Sequence, residues 1–571
     1  MKLILKYMFK YKFSMLWGFI VKVIGTVMDL AIPYLLSYIL DEIVPTGNMN
    51  EIVRFGLIML GCTAVGFIGT VIANQNAARV ASKVTTDFRH DLFSKIESLS
   101  SRQTDEVTLP SLISRMSSDT WNVHTFTGMI QRLGVRAPIL LVGGLIVTFS
   151  IDVKLTLVLL AVLPLVVLIT TVITMKGIPL FSRVQTAIDD YIRIIRENIT
   201  GIRVIKALSK EKYENERYEK VSKKLIDYEL KSQKTMIKSS PINNLLLNLG
   251  MVGVIIFGAF RVNSGLCKTG IIIAFTNYVS IILNALLSVT RVFIMTSRAA
   301  ASSNRIKVIL DMEPDLEVVD DTNTSSSHFI EFRNVTFSYN KKENNITNLS
   351  FTLEKGESLG IIGATGSGKS TIISLLLRFY DVDSGDIFVN GKNIKEYNKQ
   401  ELRQMFGTVF QNDTIFSTTI KENIDFNRNI SDEEIIEASN NALSMEYINS
   451  LEEKFDTELS ERGMNLSGGQ RQRLLISRAL ANKPEILVLD DSSSALDYKT
   501  DSLLRKNLKE NYKDTTLIII AQRISSINNC DKIIVIDDGV AIGYGKHNEL
   551  INSNEVYNEI FQSQMGGGLC E

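Results

Sequence analysis

Long apolar segments fill the first half of this 571-residue chain. A helix that crosses a bilayer needs about 20 mostly apolar residues. Six stretches of this kind precede residue 296, and their ranges are 14–40, 54–74, 134–151, 155–176, 243–262 and 271–295. Single runs of this type also form buried helices in water-soluble proteins, but six of them in one half of a chain favour a membrane domain. We therefore expect six membrane-spanning helices.

The connections between these stretches are uneven. Segments 75–133 and 177–242 are long and polar, whereas the other connections are short. The first long segment carries many cations, namely Arg79, Lys83, Arg89, Lys95, Arg102 and Arg115, and the first short connection is acidic, with Asp41, Glu42 and Glu51. Because positive loops stay in the cytoplasm, we expect both long segments and both termini to be cytoplasmic.

Each long segment has a candidate turn. The first contains T-L-P-S-L-I-S-R-M-S-S-D from Thr108 to Asp119, where Pro110 suits the first turn of a short helix. The second contains R-E-N-I-T-G-I-R-V-I-K-A-L from Arg196 to Leu208. These patterns predict two helical hairpins that reach into the cytoplasm.

Polar residues recur within two of the apolar stretches. Lys22 and Asp29 are seven residues apart in the first, and Asn277, Asn284 and Arg291 have the same spacing in the sixth. Polar groups inside membrane helices are costly and often mark a substrate pathway. Such a stripe could line a cavity in which Asp29 favours cationic groups, or it could form hydrogen bonds between helices. The sequence leaves both interpretations open.

The second half of the chain has an ordinary α/β pattern with a phosphate-binding loop. The loop G-A-T-G-S-G-K-S lies between a strand-like S-L-G-I-I and an apolar helix, which is the context that such a loop requires. Its backbone N–H groups can donate to phosphates, Lys369 can reach the β- and γ-phosphates, and the Ser370 hydroxyl can bind Mg²⁺. The predicted nucleotide-binding residues here are Gly363, Thr365, Gly366, Ser367, Gly368, Lys369, Ser370 and Thr371.

A second strand-like segment ends in two carboxylates. P-E-I-L-V-L-D-D runs from Pro484 to Asp491, and Asp490 stands where phosphate-loop folds place the acid of the Mg²⁺ shell. A buried strand followed by an acidic turn would look the same in isolation. Its position after the loop favours the metal role.

Acidic and basic residues balance to a net charge of zero over the chain, so no overall field points to a nucleic-acid partner.

Over its whole length the chain resembles half-size ATP-binding cassette (ABC) exporters of the bacterial heterodimeric multidrug type. Tyr339 is similar to the aromatic residue that stacks on adenine, and Gln411 to the glutamine that contacts Mg²⁺. Segment Thr457–Gly463 resembles the exporter loop that faces the intracellular helices, and Ser494–Asp497 the loop that bridges two sites and ends in Asp497. The signature L-S-G-G-Q consists of Leu466, Ser467, Gly468, Gly469 and Gln470, and the resemblance implies that it closes the nucleotide of a neighbouring subunit.

Two positions depart from the family pattern. Asp491 stands where the family has a glutamate that polarises the attacking water, and Gln522 stands where it has a histidine that contacts the γ-phosphate. Aspartate is one methylene shorter, and a displacement of about 1 Å can cost on the order of 10²-fold in rate. Glutamine donates a hydrogen bond but carries no positive charge. We expect this site to bind ATP and cleave it slowly.

The resemblance therefore predicts a six-helix transmembrane domain with the type I ABC exporter fold, over residues 1–296. A linker over 297–328 and an α/β nucleotide-binding domain over 329–571 follow. We expect ATP and Mg²⁺ as cofactors and a location in a bacterial plasma membrane. The expected partner is a second half-transporter, in a heterodimer rather than a homodimer, and the expected substrate is a small amphipathic molecule. Two alternatives remain, a homodimeric exporter with weak ATPase activity and a regulatory or nucleotide-gated membrane subunit that does not pump.

Overall fold

The computed structural model describes residues 1–565 apart from residues 321, 323, 493 and 494. Ser494, the first residue of the predicted bridging loop, therefore lies outside the described residues. The chain divides into two compact units. The first unit is Met1–Glu97 with Pro110–Met312, and the second is Ser98–Leu109 with Glu313–Glu571.

The first half of the chain is helical. Its helices are α1 (Lys2–Phe9), α2 (Lys12–Tyr38), α3 (Met49–Ser98), α4 (Ser101–Val107), α5 (Leu109–Ser114), α6 (Thr120–Ile151), α7 (Val153–Thr200), α8 (Ile202–Ala207), α9 (Glu211–Met236), α10 (Ser239–Asn263) and α11 (Thr269–Leu310). Among the described residues, six helical stretches are long and apolar enough to cross a membrane, namely Lys12–Thr46, Met49–Ser98, Leu109–Ile151, Val153–Thr200, Glu211–Asn263 and Thr269–Leu310. The prediction of six spans is confirmed.

The turn of the first hairpin lies earlier than the sequence suggested. It is the short helix α4, and the predicted turn segment Thr108–Asp119 forms α5 and a π-helical turn at the start of the returning helix. At the start of α4 the Gln103 N–H donates to the Ser100 hydroxyl over 3.1 Å, and the Ser100 N–H donates to the Gln103 side chain over 3.2 Å. This reciprocal capping box satisfies two N–H groups at once, which is why the helix begins here.

The last membrane helix continues beyond the predicted domain boundary. α11 ends at Leu310, so residues 297–310 are helical and do not form the linker that was predicted to start at 297. Ala299, Ser302, Ile306 and Ile309 are buried at intervals of three or four residues. A buried face with this spacing stabilises an amphipathic helix, and the helix persists for that reason.

Asp29 has a partner within its own unit. Its carboxylate lies 3.0 Å from the Arg136 guanidinium, which belongs to α6. Asn277 and Asn284 donate to carbonyl oxygens one turn earlier in α11, those of Ile273 and Ser280. The carboxylate that was expected to attract cations is thus already paired with a cation.

The described part of the second unit contains two sheets. Its strands are β1 (Ile330–Phe337), β2 (Ile346–Leu353), β3 (Ser358–Gly363), β4 (Ser384–Val389), β5 (Lys392–Asn393), β6 (Phe406–Val409), β7 (Ile486–Asp490), β8 (Thr516–Ile520), β9 (Lys532–Asp537) and β10 (Val540–Gly545). An antiparallel sheet has the order β2-β1-β4-β5, and a larger sheet has the order β10-β9-β3-β8-β7-β6. All neighbouring strands of the larger sheet are parallel except β9 and β10.

Helices of the second unit connect and cover these strands. They are α12 (Lys369–Leu376), α13 (Lys399–Gln404), α14 (Ile420–Asp425), α15 (Asp432–Asn441), α16 (Met445–Ile448), α17 (Gly468–Leu480), α18 (Tyr498–Asn511), α19 (His547–Ser553) and α20 (Glu555–Met565). β3 and β7 are adjacent to β8 on either side, and both end at the same edge of the sheet. Ligands of open parallel sheets bind at the carboxyl ends of the strands, so we expect a ligand site at this edge.

Candidate nucleotide site

The glycine loop joins β3 to α12 and leaves no room for side chains at two of its glycines. A Cβ at Gly363 would lie 2.0 Å from the Ile536 carbonyl oxygen, and one at Gly368 would lie 2.7 Å from the Asn345 carbonyl oxygen. Gly368 also has a φ of +102°, in the region that favours glycine. These glycines keep the loop tight, and the start of α12 that follows it favours an anion.

Lys369 and Ser370 begin α12, where the Lys369 side chain reaches the loop and the Ser370 side chain reaches the end of β7. The Lys369 ammonium donates to the carbonyl oxygens of Gly363 and Ala364, over 2.9 and 2.6 Å. The Ser370 hydroxyl donates to the Asp490 carboxylate over 2.7 Å. The sequence places these residues far apart, and the pairing of β3 and β7 on either side of β8 brings them together.

Burial changes the titration of this cluster. Asp490 is only 4% exposed, and its burial raises the pKa of the carboxyl, against the hydrogen bond from Ser370, which lowers it. Burial also lowers the pKa of the Lys369 ammonium. A cation placed beside Asp490 would stabilise its ionised form. Hydroxyl, carboxylate and amide oxygens are ligands that Mg²⁺ accepts, so Ser370, Asp490 and Gln411 fit the predicted metal.

The two residues that depart from the family pattern contact each other. The Gln522 side-chain amide donates to the Asp491 carboxylate over 3.3 Å. Asp491 has a φ of +48°, and burial raises the pKa of its carboxyl. Both side chains line the same cavity, with a volume of about 180 Å³, whose walls are Asn345, Thr365, Gly366, Gly368, Lys369, Ser370, Thr371, Gln411, Asp490, Asp491, Ile520, Ala521 and Gln522.

Tyr339 lies beside the same helix start. Its hydroxyl donates to the Thr371 hydroxyl over 3.3 Å, and its N–H donates to the Asn345 side chain over 3.0 Å. The residue is 42% exposed, and its ring packs edge-on against Tyr380, with ring centroids 5.0 Å apart. An exposed aromatic face held next to a phosphate loop is able to stack on a base.

Tyr380 also connects this region to α4. Its hydroxyl donates to the Asp105 carboxylate over 2.6 Å, and burial raises the pKa of Tyr380. Two more bonds hold the start of α4, from the Ser100 hydroxyl to Asp315 over 2.8 Å and from the Gln103 side chain to the Glu313 carbonyl oxygen over 2.6 Å. Tyr380 therefore contacts both Tyr339 and α4, the turn of the first hairpin.

Tyr380→Phe should loosen α4 without disturbing the ring that packs against Tyr339. A hydrogen bond to a charged group contributes about 1.5–3 kcal/mol, so amide hydrogen exchange in α4 should become about tenfold faster or more. Tyr544→Phe is the matched control, because the Tyr544 hydroxyl donates to the Thr352 carbonyl oxygen over 2.6 Å elsewhere in the unit. Unchanged exchange in α4 of Tyr380→Phe would contradict this attachment.

The signature residues lie at the start of α17 and outside the cavity. The Gln470 N–H donates to the Ser467 hydroxyl over 3.3 Å, and the Ser467 N–H donates to the Gln470 side chain over 2.8 Å. Leu466 is buried, whereas Ser467 and Gly468 are exposed. A Cβ at Gly469 would lie 3.3 Å from the Ala495 carbonyl oxygen. The helix start thus presents glycine backbone to the outside of the unit.

Asp497 caps the helix that follows the predicted bridging loop. Its carboxylate accepts the Thr500 N–H over 2.9 Å and the Thr500 hydroxyl over 2.8 Å. These bonds lower the pKa of the Asp497 carboxyl.

In segment Thr457–Gly463, the Leu459 N–H donates to the Thr418 carbonyl oxygen over 2.9 Å. This bond connects the segment to the residues just before α14.

One cavity thus brings together ten of the predicted site residues, namely Thr365, Gly366, Gly368, Lys369, Ser370, Thr371, Gln411, Asp490, Asp491 and Gln522. Its walls do not include Tyr339, Gly363, Ser367, the signature or Asp497. Sequence reasoning missed Asn345, Tyr380 and Asp105. The S-x-x-Q capping box at Ser100 could have located α4, whereas nothing in the local sequence ties Asp105 to Tyr380.

Comparisons with known proteins cover both halves of the chain. The family model of the ABC transporter transmembrane region matches residues 15–286, and the ABC transporter family model matches residues 346–494. The uncharacterized ABC transporter ATP-binding protein YfiB of Bacillus subtilis (strain 168) is 35% identical over 541 residues, which cover 94% of each chain.

A second relative and one solved structure are similar over nearly the full length. The ATP-dependent lipid A-core flippase of Haemophilus influenzae (strain 86-028NP) is 30% identical and covers 98% of this chain, which covers 96% of the flippase. The structure of a bacterial Atm1-family ABC exporter with ATP bound matches with a TM-score of 0.80 at 24% identity, over 97% of this chain and 98% of that one. At this identity the likeness shows the fold, a type I exporter fold.

Proposed function

Since the chain belongs to the ABC transporters, as an ATP-hydrolysing exporter with a fused membrane region and cassette, we propose that it works as one half of a heterodimer. In this proposal the transporter exports an amphipathic molecule, drug-like or lipid-like, across the bacterial cell membrane. This chain's own phosphate loop binds ATP and cleaves it slowly. Its signature completes the faster site of the partner subunit.

The contact between Asp491 and Gln522 is the observation that carries this proposal. The Asp491 carboxylate accepts the Gln522 amide over 3.3 Å at the edge of the cavity. A carboxylate on a side chain one methylene shorter than glutamate is retracted from the position where an attacking water must lie. The neighbouring amide carries no charge to offset the charge that develops on the γ-phosphate. Both features slow cleavage and leave the binding residues intact.

ATP binding itself needs the residues that the cavity still has. Lys369, the loop N–H groups and the exposed face of Tyr339 can hold the phosphates and the base. Mg²⁺ held by Ser370, Asp490 and Gln411 would neutralise charge on the phosphates. Nothing in this set departs from the family pattern, so we expect affinity for ATP to be ordinary.

The exposed start of α17 supports a role on the partner's nucleotide. Ser467 and Gly468 are open to solvent, and a helix start with free N–H groups favours an anion. When two cassettes close face to face, this helix start is able to meet the γ-phosphate held by the partner. ATP drives closure to the extent that it binds the closed pair more tightly than the open pair. The membrane helices then turn outward and release the substrate.

Nucleotide trapping in the assembled transporter tests the asymmetry. The pair is purified through a tag on this chain, trapped with vanadate and radiolabelled ATP that crosslinks under light, and separated into its subunits. We expect labelled ADP on the partner and uncleaved ATP on this chain. Equal cleavage on both chains would contradict the proposal, as would brisk ATPase activity of this chain purified alone as a homodimer.

A further inference from the structure

A cavity of about 310 Å³ lies between α2, α3 and α6 of the membrane unit. Its walls are Lys22, Thr70, Asn74, Met129, Arg132, Leu133 and Arg136. Three of these seven residues are cations, and none is an acid. A cavity of this composition within membrane helices needs an explanation, because charged groups at such positions are costly and usually functional.

Lys22 is the most isolated of the three cations. The residue is 2% exposed, although its side chain ends in a charge. Its ammonium has one hydrogen bond to a side chain among the described residues, to the Asn74 side-chain oxygen over 3.4 Å. An ammonium group has three donors and prefers a carboxylate or phosphate. One long bond to a neutral amide leaves most of the donor capacity of this ammonium without a side-chain acceptor among the described residues.

The nearby carboxylate is already engaged. Asp29 lies 3.0 Å from the Arg136 guanidinium, and the buried Nε of Arg136 has no hydrogen-bond partner among the described residues. The Arg132 Nε donates to the Gly128 carbonyl oxygen over 3.1 Å, a neutral acceptor. The three cations Lys22, Arg132 and Arg136 and the carboxylate of Asp29 together give a net charge of +2 around the cavity. This excess repels cationic groups and attracts anionic ones.

The cavity lies toward one end of the membrane helices. Lys22 is ten residues after the start of α2 at Lys12, or roughly 15 Å along the helix at 1.5 Å per residue. Asn74 ends the second predicted apolar stretch, 54–74, and Arg132 precedes the third, 134–151. Asn74 and Arg132 therefore lie near the head-group level of the leaflet on the side of the amino terminus, and the Lys22 ammonium reaches Asn74 from eight residues inside the first stretch, 14–40. Basic pockets between helices at this level bind acidic lipid head groups.

We propose that this cavity binds the phosphate head group of an anionic amphiphile from the cytoplasmic leaflet. Lys22 and Arg132 contact the phosphate, Arg136 orients Asp29 away from it, and the acyl chains remain between the membrane helices. The inference rests on the proposed function for the cytoplasmic orientation of the cavity, and it is independent of which subunit cleaves ATP.

Native mass spectrometry of the transporter released from nanodiscs tests this assignment. The transporter, purified through a tag on this chain, is placed in phosphatidylcholine discs with a small fraction of phosphatidylglycerol, and retained phosphatidylglycerol is counted per complex. Asn74→Asp puts a carboxylate beside Lys22, so we expect at least about tenfold lower retention, with thermal stability equal to or above that of the wild type. Lys22→Gln should lower retention by a similar factor, and Lys22→Arg should preserve it.

Lys12→Gln is the matched control, because it removes an exposed cation from the same helix and should leave retention unchanged. Glycerol 3-phosphate, added at the same concentration as the lipid, should not displace it. Displacement by this soluble phosphate would overturn the assignment to an amphiphile. Equal retention in wild type and Asn74→Asp would overturn the site itself, even if vanadate trapping confirmed the asymmetry of the two nucleotide sites.

Discussion

Replacing Asp491 with Glu and Gln522 with His together is expected to raise ATP turnover at this chain's own site by about 10²-fold. The added methylene advances the carboxylate toward the water position, and the imidazole can carry positive charge next to the γ-phosphate. The backbone at Asp491 has a φ of +48°, and glutamate is able to adopt this conformation at a modest cost. Cleavage on each subunit is measured by the rate at which labelled ADP becomes trapped with vanadate in the assembled pair.

Asp538→Glu is the matched control for this experiment. Asp538 is exposed, has a φ of +47° and is not among the walls of the cavity, so the same change there tests backbone strain alone. We expect its turnover to equal that of the wild type. If the double variant binds ATP as well as the wild type and still cleaves it slowly, then Asp491 and Gln522 are not the cause of the slow site.

Gly468→Asp should reduce the turnover of the assembled pair by about 10²–10³-fold, which is the usual effect of losing transition-state donors. The new carboxylate would stand at the start of α17, where the proposal places the partner's γ-phosphate, and the two negative charges repel. The fold should tolerate the change, because a Cβ at Gly468 lies at an ordinary 3.6 Å from the Ala495 Cβ. An acid in the first turn also stabilises a helix.

Lys369→Ala provides the comparison within the same chain. It removes the ammonium from this chain's own phosphate loop and leaves the partner's site complete, so most of the turnover should remain. Steady-state ATPase activity of the two variant pairs measures the difference. Similar losses from Gly468→Asp and Lys369→Ala would show that both sites contribute equally, in conflict with the heterodimer that we propose.

Features that depend on local chemistry were predictable from the sequence. Apolar length identified six spans, and the glycine spacing around Lys369 identified the loop. The partner of Ser370 could be proposed because Asp490 ends a strand, and the fold then placed the two residues 2.7 Å apart. In each case the residue pattern carries a physical requirement that few folds satisfy.

Features that depend on distant contacts were not predictable. Asp29 looked like an acid available to cations until α6 brought Arg136 to it. The end of α11 looked like a linker because small residues such as Ala299 and Ser302 carry a weak apolar signal, although both are buried. Asp105 and Tyr380 are 275 positions apart, and no local rule relates them. Long-range pairing, rather than propensity, decided all three.

The attachment of residues 98–109 to the second unit has a consequence for biosynthesis. Asp105 leaves the ribosome 275 residues before Tyr380, which at about 5–20 residues per second is a delay of roughly 14–55 s. During this interval the nascent membrane helices carry a short polar segment whose docking surface has not been made. A protease or chaperone that acts on the unfinished polypeptide would therefore meet this segment before Tyr380 is available to bind it.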